Sequence, residues 1–230
     1  AEQDCLNEMI AVKQEQLKEF DKLAQSIFFD MFGDPVSNEK KWKVYTLSSI
    51  CDVRDGTHDS PQYVEEGYPL ITSKNVIGGG ISFDNVNYIS KAELDSINAR
   101  SRVDDGDIIM PMIGTIGNPV IVHKDREFAI KNVALIKFDS STNVLNLYIQ
   151  RLLDCESYSN YIMGLNRGGT QKFIALKTIR NLPIPLPPLS LQQQFAEKIS
   201  AIEAQKELVK QSIAETQALL DYTMDYYFNE

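Results

Sequence analysis

Between Ser190 and Phe228 no Pro or Gly interrupts the chain, and an unbroken run of that length leaves few folds open. Phe195, Ile199, Ile202, Lys206, Val209, Ile213, Thr216, Leu220, Thr223 and Tyr227 alternate steps of four and three, and seven of the ten are apolar. That rhythm is a coiled-coil seam on one face of a long helix. At 1.5 Å per residue, residues 191–228 span roughly 57 Å, a rod longer than one globular core requires. The alternative is a surface helix packed on its own domain. Upstream, Pro183, Pro185, Pro187 and Pro188 forbid a helix, because each lacks an N–H and fixes φ. Ser190 then reads as the N-cap, with Gln193 at the spacing of a capping box.

The start of the chain answers this helix. Leu6, Ile10, Lys13, Leu17, Phe20, Ala24, Ile27 and Met31 keep the same rhythm, Gly33 is placed as the C′ residue, and Pro35 stops any continuation. One helix runs into the middle of the chain and the other runs out of it, so the two pack antiparallel if they meet. Their ends are also alike at an offset of 196, with Leu23 against Leu219 and Phe32 against Phe228, which hints at a two-fold arrangement.

The 230 residues, 43% of them hydrophobic, suit one core domain plus extended helices. Cys5, Cys51 and Cys155 are too widely spaced for a disulfide framework or a metal cluster, which points to a reducing, cytoplasmic setting. No run of about 18 apolar residues occurs, so no membrane span or membrane partner is expected. The net charge of −9 is uneven: residues 1–33 and 186–230 carry −4 each, and the middle is nearly neutral. A local basic face in the middle remains open.

The middle reads as α/β (α+β) with short elements. An extended piece covers 42–45, a helical turn lies near Ser48 and Ser49, and 69–73 is a buried strand. Ser90 with Glu93 caps a helix over 91–99. Strands follow at 107–113, 120–123 and 133–138, and helices at 144–154 and 157–165. The division is therefore 1–33 helix, 34–186 globular domain and 187–230 helix.

Catalytic chemistry finds little support. His58 with Asp59 is a conceivable base or metal pair, but only His123 is available as a second histidine. The run Gly78-Gly79-Gly80 lacks the Lys and Ser/Thr of a phosphate loop, and Gly114-x-x-Gly117 is most often a tight hairpin. No dinucleotide-type glycine loop or nucleophile elbow is present, so no cofactor, metal or enzyme activity is expected. What remains are polar loops at 54–59, 72–75, 114–118, 131–132 and 166–172, rich in Arg, Lys, Asn, Gln, Thr and His. Such side chains pair with phosphates and base edges. Loop chemistry by itself still favours ordinary solvated loops.

The order of several motifs resembles the specificity subunit of type I restriction-modification systems. They are Met31-Phe-Gly-Asp-Pro35 with Trp42, Asp55-Gly-Thr-His58 with Pro61 and Tyr63, and Thr72-Ser-Lys-Asn75. Then come Gly106-Asp-Ile-Ile109, Gly114-x-Ile-Gly117, Gly169-Thr-Gln-Lys-Phe173, and Leu182-Pro-Ile-Pro-Leu-Pro-Pro188 leading to Gln192-Gln193. The resemblance implies a target recognition domain that reads half of a split site on double-stranded DNA. It also implies spacer helices that dock methyltransferase (modification) subunits, with the restriction subunit reached through the complex. One recognition domain is visible, where the family's full-length members have two. The chain therefore reads as a half-subunit, forming a homodimer, or as the second half of a two-domain subunit. A coiled-coil adaptor whose central domain binds protein is the alternative, and a hydrolase using His58 and Asp59 a third.

On this reading the DNA-contacting residues are Arg54, Thr57, His58, Ser73, Lys74, Asn75, Thr115, Asn118, Lys131, Asn132, Arg167, Thr170, Gln171 and Lys172. Lys74, Lys131 and Lys172 are expected on phosphates, and Asn75, Asn132 or Gln171 on base edges. Thr57, Thr115 and Thr170 follow glycines and equally suit the bracing of turns.

Overall fold

The computed structural model describes residues 2–114, 117–139, 143–165 and 173–228, with side chains from Gln3 to Met224. In chain order the elements are α1 (Glu2–Phe32), β1 (Lys43–Thr46), α2 (Leu47–Ile50), β2 (Asp52–Asp55), β3 (Tyr63–Val64) and β4 (Tyr68–Ile71). After a 3-10 turn over Ser73–Asn75 come β5 (Val76–Ile77), β6 (Gly80–Ile81), β7 (Asn87–Ile89), α3 (Lys91–Ser101), β8 (Ile108–Pro111) and β9 (Val120–Ile121). The series closes with β10 (Ala129–Ile130), β11 (Val133–Lys137), α4 (Asn146–Asp154), α5 (Glu156–Leu165), α6 (Leu176–Arg180), β12 (Pro183–Leu186) and α7 (Leu189–Phe228). The chain divides into a helical unit, 1–31 with 193–230, and a globular unit, 32–192.

In the helical unit α1 and α7 pack antiparallel through the seams read from the sequence. Leu6 and Ile10 cluster with Leu220 and Ile213, and at the opposite end the Phe28 and Phe195 rings meet edge-on at 5.7 Å. Of the seam positions on α7, Phe195, Ile199, Ile202, Thr216, Leu220 and Thr223 are buried. The charged members are satisfied rather than stranded. Lys13 donates to Thr216 Oγ1 at 2.8 Å and to the Ser212 carbonyl at 3.2 Å, while Lys206 pairs with Asp21 at 2.7 Å. A lysine in a seam costs stability but restricts register, since only one alignment supplies its acceptors.

In the globular unit, Gly33 adopts φ +74°, the left-handed C′ conformation expected of it, and the Trp42 indole donates to the Phe32 carbonyl at 2.9 Å. The capping expectation at Ser190 fails. The last helix opens at Leu189, and the Pro188 carbonyl accepts from Leu191 N and Gln192 N, so Ser190 is an exposed first-turn residue. Gln192, not Gln193, is the buried amide. Its Oε1 accepts from Leu145 N at 2.8 Å and its Nε2 donates to the Pro187 carbonyl at 2.9 Å. The proline run is a strand: β12 pairs antiparallel with β1, with Pro185 opposite Val44 and Pro183 opposite Thr46. Alternate prolines suit a two-stranded ribbon, in which only every second residue donates to the partner. Tyr148 and Tyr158 donate from α4 and α5 to the Pro185 and Pro183 carbonyls.

Among the described residues, the remaining strands form a separate antiparallel β5–β6 hairpin and two four-stranded sheets. One is antiparallel in the order β2-β11-β8-β9, and the other runs β10-β4-β7-β3, with β10 and β4 parallel. Ile71 and Ile130 face the core shared with Ile109, Val133 and Leu135, whereas Leu70 and Ala129, one residue earlier, face Leu94 and Ile97 of α3. The second sheet is thus covered on both faces, which is why 69–71 is continuously apolar. Ser90 Oγ caps α3 by accepting from Glu93 N, and the helix runs on to Ser101, two residues past the expected end.

Candidate nucleic-acid interface

The chain passes directly from β10 in one sheet to β11 in the other, and Lys131 and Asn132 are the corner. Asn132 turns it with φ +56°, a conformation that Asn tolerates better than most residues. The end of β2 is laced onto this corner. Gly56 N donates to the Val133 carbonyl, Thr57 N to the Ile130 carbonyl and Asn132 N to the Thr57 carbonyl, while Lys131 N reaches the Ile71 carbonyl at the end of β4. Gly56 is required by this approach, because a Cβ there would lie 2.3 Å from the Ile130 carbonyl oxygen.

Strand direction then gathers the loops. Asp55 at the end of β2 pairs with Ala134, Pro111 at the end of β8 pairs with Val133, and Ile71 pairs with Ile130. The segments after β2, β4 and β8 therefore leave the sheets at the same end as the 131–132 corner. Ile113 bridges Phe173 there.

Of the residues named from sequence, Arg54, Thr57, His58, Lys131 and Asn132 come together at this end. His58 bridges two elements, with Nε2 2.7 Å from Asp55 Oδ2 and Nδ1 2.8 Å from Asn132 Oδ1. Lys131 Nζ donates to Ser60 Oγ at 2.7 Å. Lys74 is exposed on the 3-10 turn, beside half-buried Ser73. Asn75, expected on a base edge, is buried, and its Oδ1 accepts from both Thr72 N and Thr72 Oγ1. Asn118 is exposed with φ +49° in the β8–β9 connection. The expectations for Thr115, Arg167, Thr170, Gln171 and Lys172 lie outside the described residues.

Arg100 and Arg180 carry no sequence signal, and Asp55, quoted only as the start of the Asp55-Gly-Thr-His58 motif, is not among the expected contact residues. Arg100, from the end of α3, donates to the Gly56 carbonyl at 2.9 Å and lies 3.2 Å from Asp55 Oδ1, leaving Oδ2 to His58. Arg180 donates to the Val53 carbonyl at 2.9 Å. With Arg54 these arginines line a cleft of about 560 Å³ that also contains Asp52 and Asp55. Nothing local in the sequence marks Arg100, because its partners come from 44 or more positions away.

The bonds from Asn132 and then Asp55 hold the His58 pKa above its ordinary value, against the opposing effects of burial and the nearby Arg100 charge. A raised folded-state pKa stabilises the fold fully below the unfolded value of about 6.5 and is lost as pH rises through the folded value. The side chain is 54% exposed, so the effect is modest. Thermal melts should therefore separate the wild type from His58→Gln more at pH 5.5 than at pH 9; an equal gap at both would contradict this coupling.

The family model described as the type I restriction modification DNA specificity domain matches residues 39–218. Two curated relatives are similar. A putative type I restriction enzyme MjaX specificity subunit of Methanocaldococcus jannaschii is 27% identical over 167 residues, 69% of this chain and 39% of that protein. The type I restriction enzyme EcoBI specificity subunit of Escherichia coli is 21% identical over 150 residues, 65% of this chain and 31% of that one. Among solved structures, the HsdS subunit of Thermoanaerobacter tengcongensis matches with a TM-score of 0.61 at 19% identity, covering 98% of this chain and 55% of its own. A chain from a type I R-M system studied for its assembly and conformational transition gives 0.64 at 20% identity, covering 96% and 53%. This chain thus spans about half the length of those structures and less of the curated relatives.

Proposed function

The chain belongs to the type I restriction-modification DNA specificity family, and from that premise we propose that it reads one half of a split site on double-stranded DNA while its helices dock methyltransferase subunits. It is a non-catalytic component, and the restriction subunit joins through the complex. The observation that carries the reading is the convergence of the 55–58, 72–75 and 131–132 segments at one end of the two sheets. Polar side chains on a rigid corner suit groove readout, since backbone bonds fix their origins. The helices, at −4 each, are repelled by phosphate and left to protein partners. Exposed Met9, Val12 and Leu23 on α1, and Leu208, Leu219 and Tyr222 on α7, offer apolar surface for such partners or for a second copy in a two-fold dimer. In that dimer the DNA site is palindromic with a fixed gap.

Binding of alanine variants to cognate and scrambled duplexes at two salt concentrations, with methyltransferase present, tests the reading. Lys131→Ala and Lys74→Ala should each weaken binding to every sequence and lower the salt slope by about one counterion. Asn132→Ala should cost roughly 1–3 kcal/mol at one base pair and relax preference there. Stability losses without any change of slope or preference would make these loops scaffold.

A further inference from the structure

We propose that His58 is a positioning residue for base readout: its protonation decides which end of the Asn132 carboxamide faces it, and so the order in which Asn132 offers donor and acceptor to a base edge. The inference rests on the DNA-reading role above and names what governs specificity there.

The hydrogen-bond arithmetic is tight. Asp55 Oδ2 and Asn132 Oδ1 both accept, at 2.7 and 2.8 Å from the two ring nitrogens. A histidine with acceptors at both nitrogens must donate from both, which only the imidazolium can do. When the ring is neutral the Asp55 carboxylate, an acceptor only, retains the proton on Nε2. Nδ1 then presents a lone pair, and Asn132 must turn its carboxamide by half a rotation to offer Nδ2 instead. The Asn132 backbone does not follow, because its N–H is held by the Thr57 carbonyl at the corner between the sheets. Among the described residues nothing else bonds Nδ2, so the flip breaks no second contact.

A reversed carboxamide has consequences for reading. Bidentate pairing with adenine needs a donor for N7 and an acceptor for the N6 amino group in one order. Exchanging the two ends makes the wrong order, and a different base pair fits. The charged groups around the ring are Asp55 from β2 and Arg100 from α3, which holds the other Asp55 oxygen at 3.2 Å. Neighbouring Lys131 is occupied by Ser60. Asp59 follows His58, with its N–H on Thr57 Oγ1. Its bonds to Asn132 and then Asp55 make His58 hold its proton to higher pH than an ordinary histidine does.

Two measurements on the full chain test this. In ¹⁵N-labelled protein titrated from pH 5.5 to 9, the Asn132 side-chain amide, assigned with Asn132→Asp, should move with the same midpoint as the His58 ring nitrogens. With methyltransferase present, relative affinities for duplexes varied at each base pair should change about tenfold at one position between pH 6 and pH 8.5. His58→Gln should abolish that pH dependence, and Asp55→Asn should move it to lower pH. An Asn132 amide that ignores the ring titration overturns the proposal. So does co-titration with an unchanged base preference, which leaves DNA reading intact. Co-titration with no sequence-selective binding at any pH removes the DNA-reading role itself, and this inference with it.

Discussion

Replacing Ile202 and Val209 by Asp should unfold the helical pair and lower stability by about 4 kcal/mol. Ile202 is 7% exposed and Val209 half-buried on the same seam. Each substitution removes apolar contact and brings a carboxylate into the seam without a cation of its own. The seam's lysines are already engaged: Lys206 with Asp21 and Glu203, and Lys13 with Thr216. Circular dichroism should show loss of helix at temperatures where the wild type is folded. Light scattering of the wild type should give twice the chain mass, and the double variant the mass of one chain with no methyltransferase bound. Unchanged melting and assembly in the double variant would remove the seam from the account, and a monomeric wild type would remove the dimer.

Gly56→Ala should be as damaging through a different cause. The added Cβ would meet the Ile130 oxygen at 2.3 Å, the Ile130 carbonyl carbon at 2.5 Å and Lys131 N at 2.8 Å, all backbone atoms. No side-chain rotation relieves such a clash, so β2 must part from the corner and lose the bonds from Gly56 N and Thr57 N. We expect a loss of about 3 kcal/mol or more, read by urea denaturation, together with lost duplex affinity. Gly164→Ala is the control. It lies exposed in α5 with nothing within 4 Å of the added carbon, and should gain up to about 1 kcal/mol. If the two variants prove equally stable, the close packing of β2 on the corner is not a constraint.

The helices were legible because their information is local and repeated. Phe195, Ile199 and Ile202 could be assigned to one face by spacing alone, and that face is buried. Phe28 shows the limit: it lies outside the four-three seam, yet it is 2% exposed against Phe195, since a real interface is wider than two positions per heptad. The end of α1 was readable at Gly33 because a single residue type suits a left-handed C′ position. The start of α7 is not readable in this way: Ser190 has the type and spacing of an N-cap, but the Pro188 carbonyl, invisible as a side-chain signal, closes the first turn.

The site divides along the same line. Its residue types, and several of its members, follow from the chain itself: Arg54, Thr57, His58, Lys131 and Asn132 are polar residues punctuating apolar runs, and turns take such residues. Their meeting does not follow. His58 reaches Asn132 across 74 positions, and Arg100 reaches Gly56 across 44. Those contacts depend on the two-residue β10 lying parallel to β4 and on the chain crossing between sheets at 131–132. Pairing of strands this short is decided by the core that both sheets share, with Ile71, Ile130 and Val133 packed together. Periodicity and capping are short-range and written residue by residue, so the sequence alone determined the helices, their seams and the polar character of the loops. Strand register between distant segments is a property of the packed whole, and only the tertiary structure decided which loops share a corner and which acceptors His58 finds there.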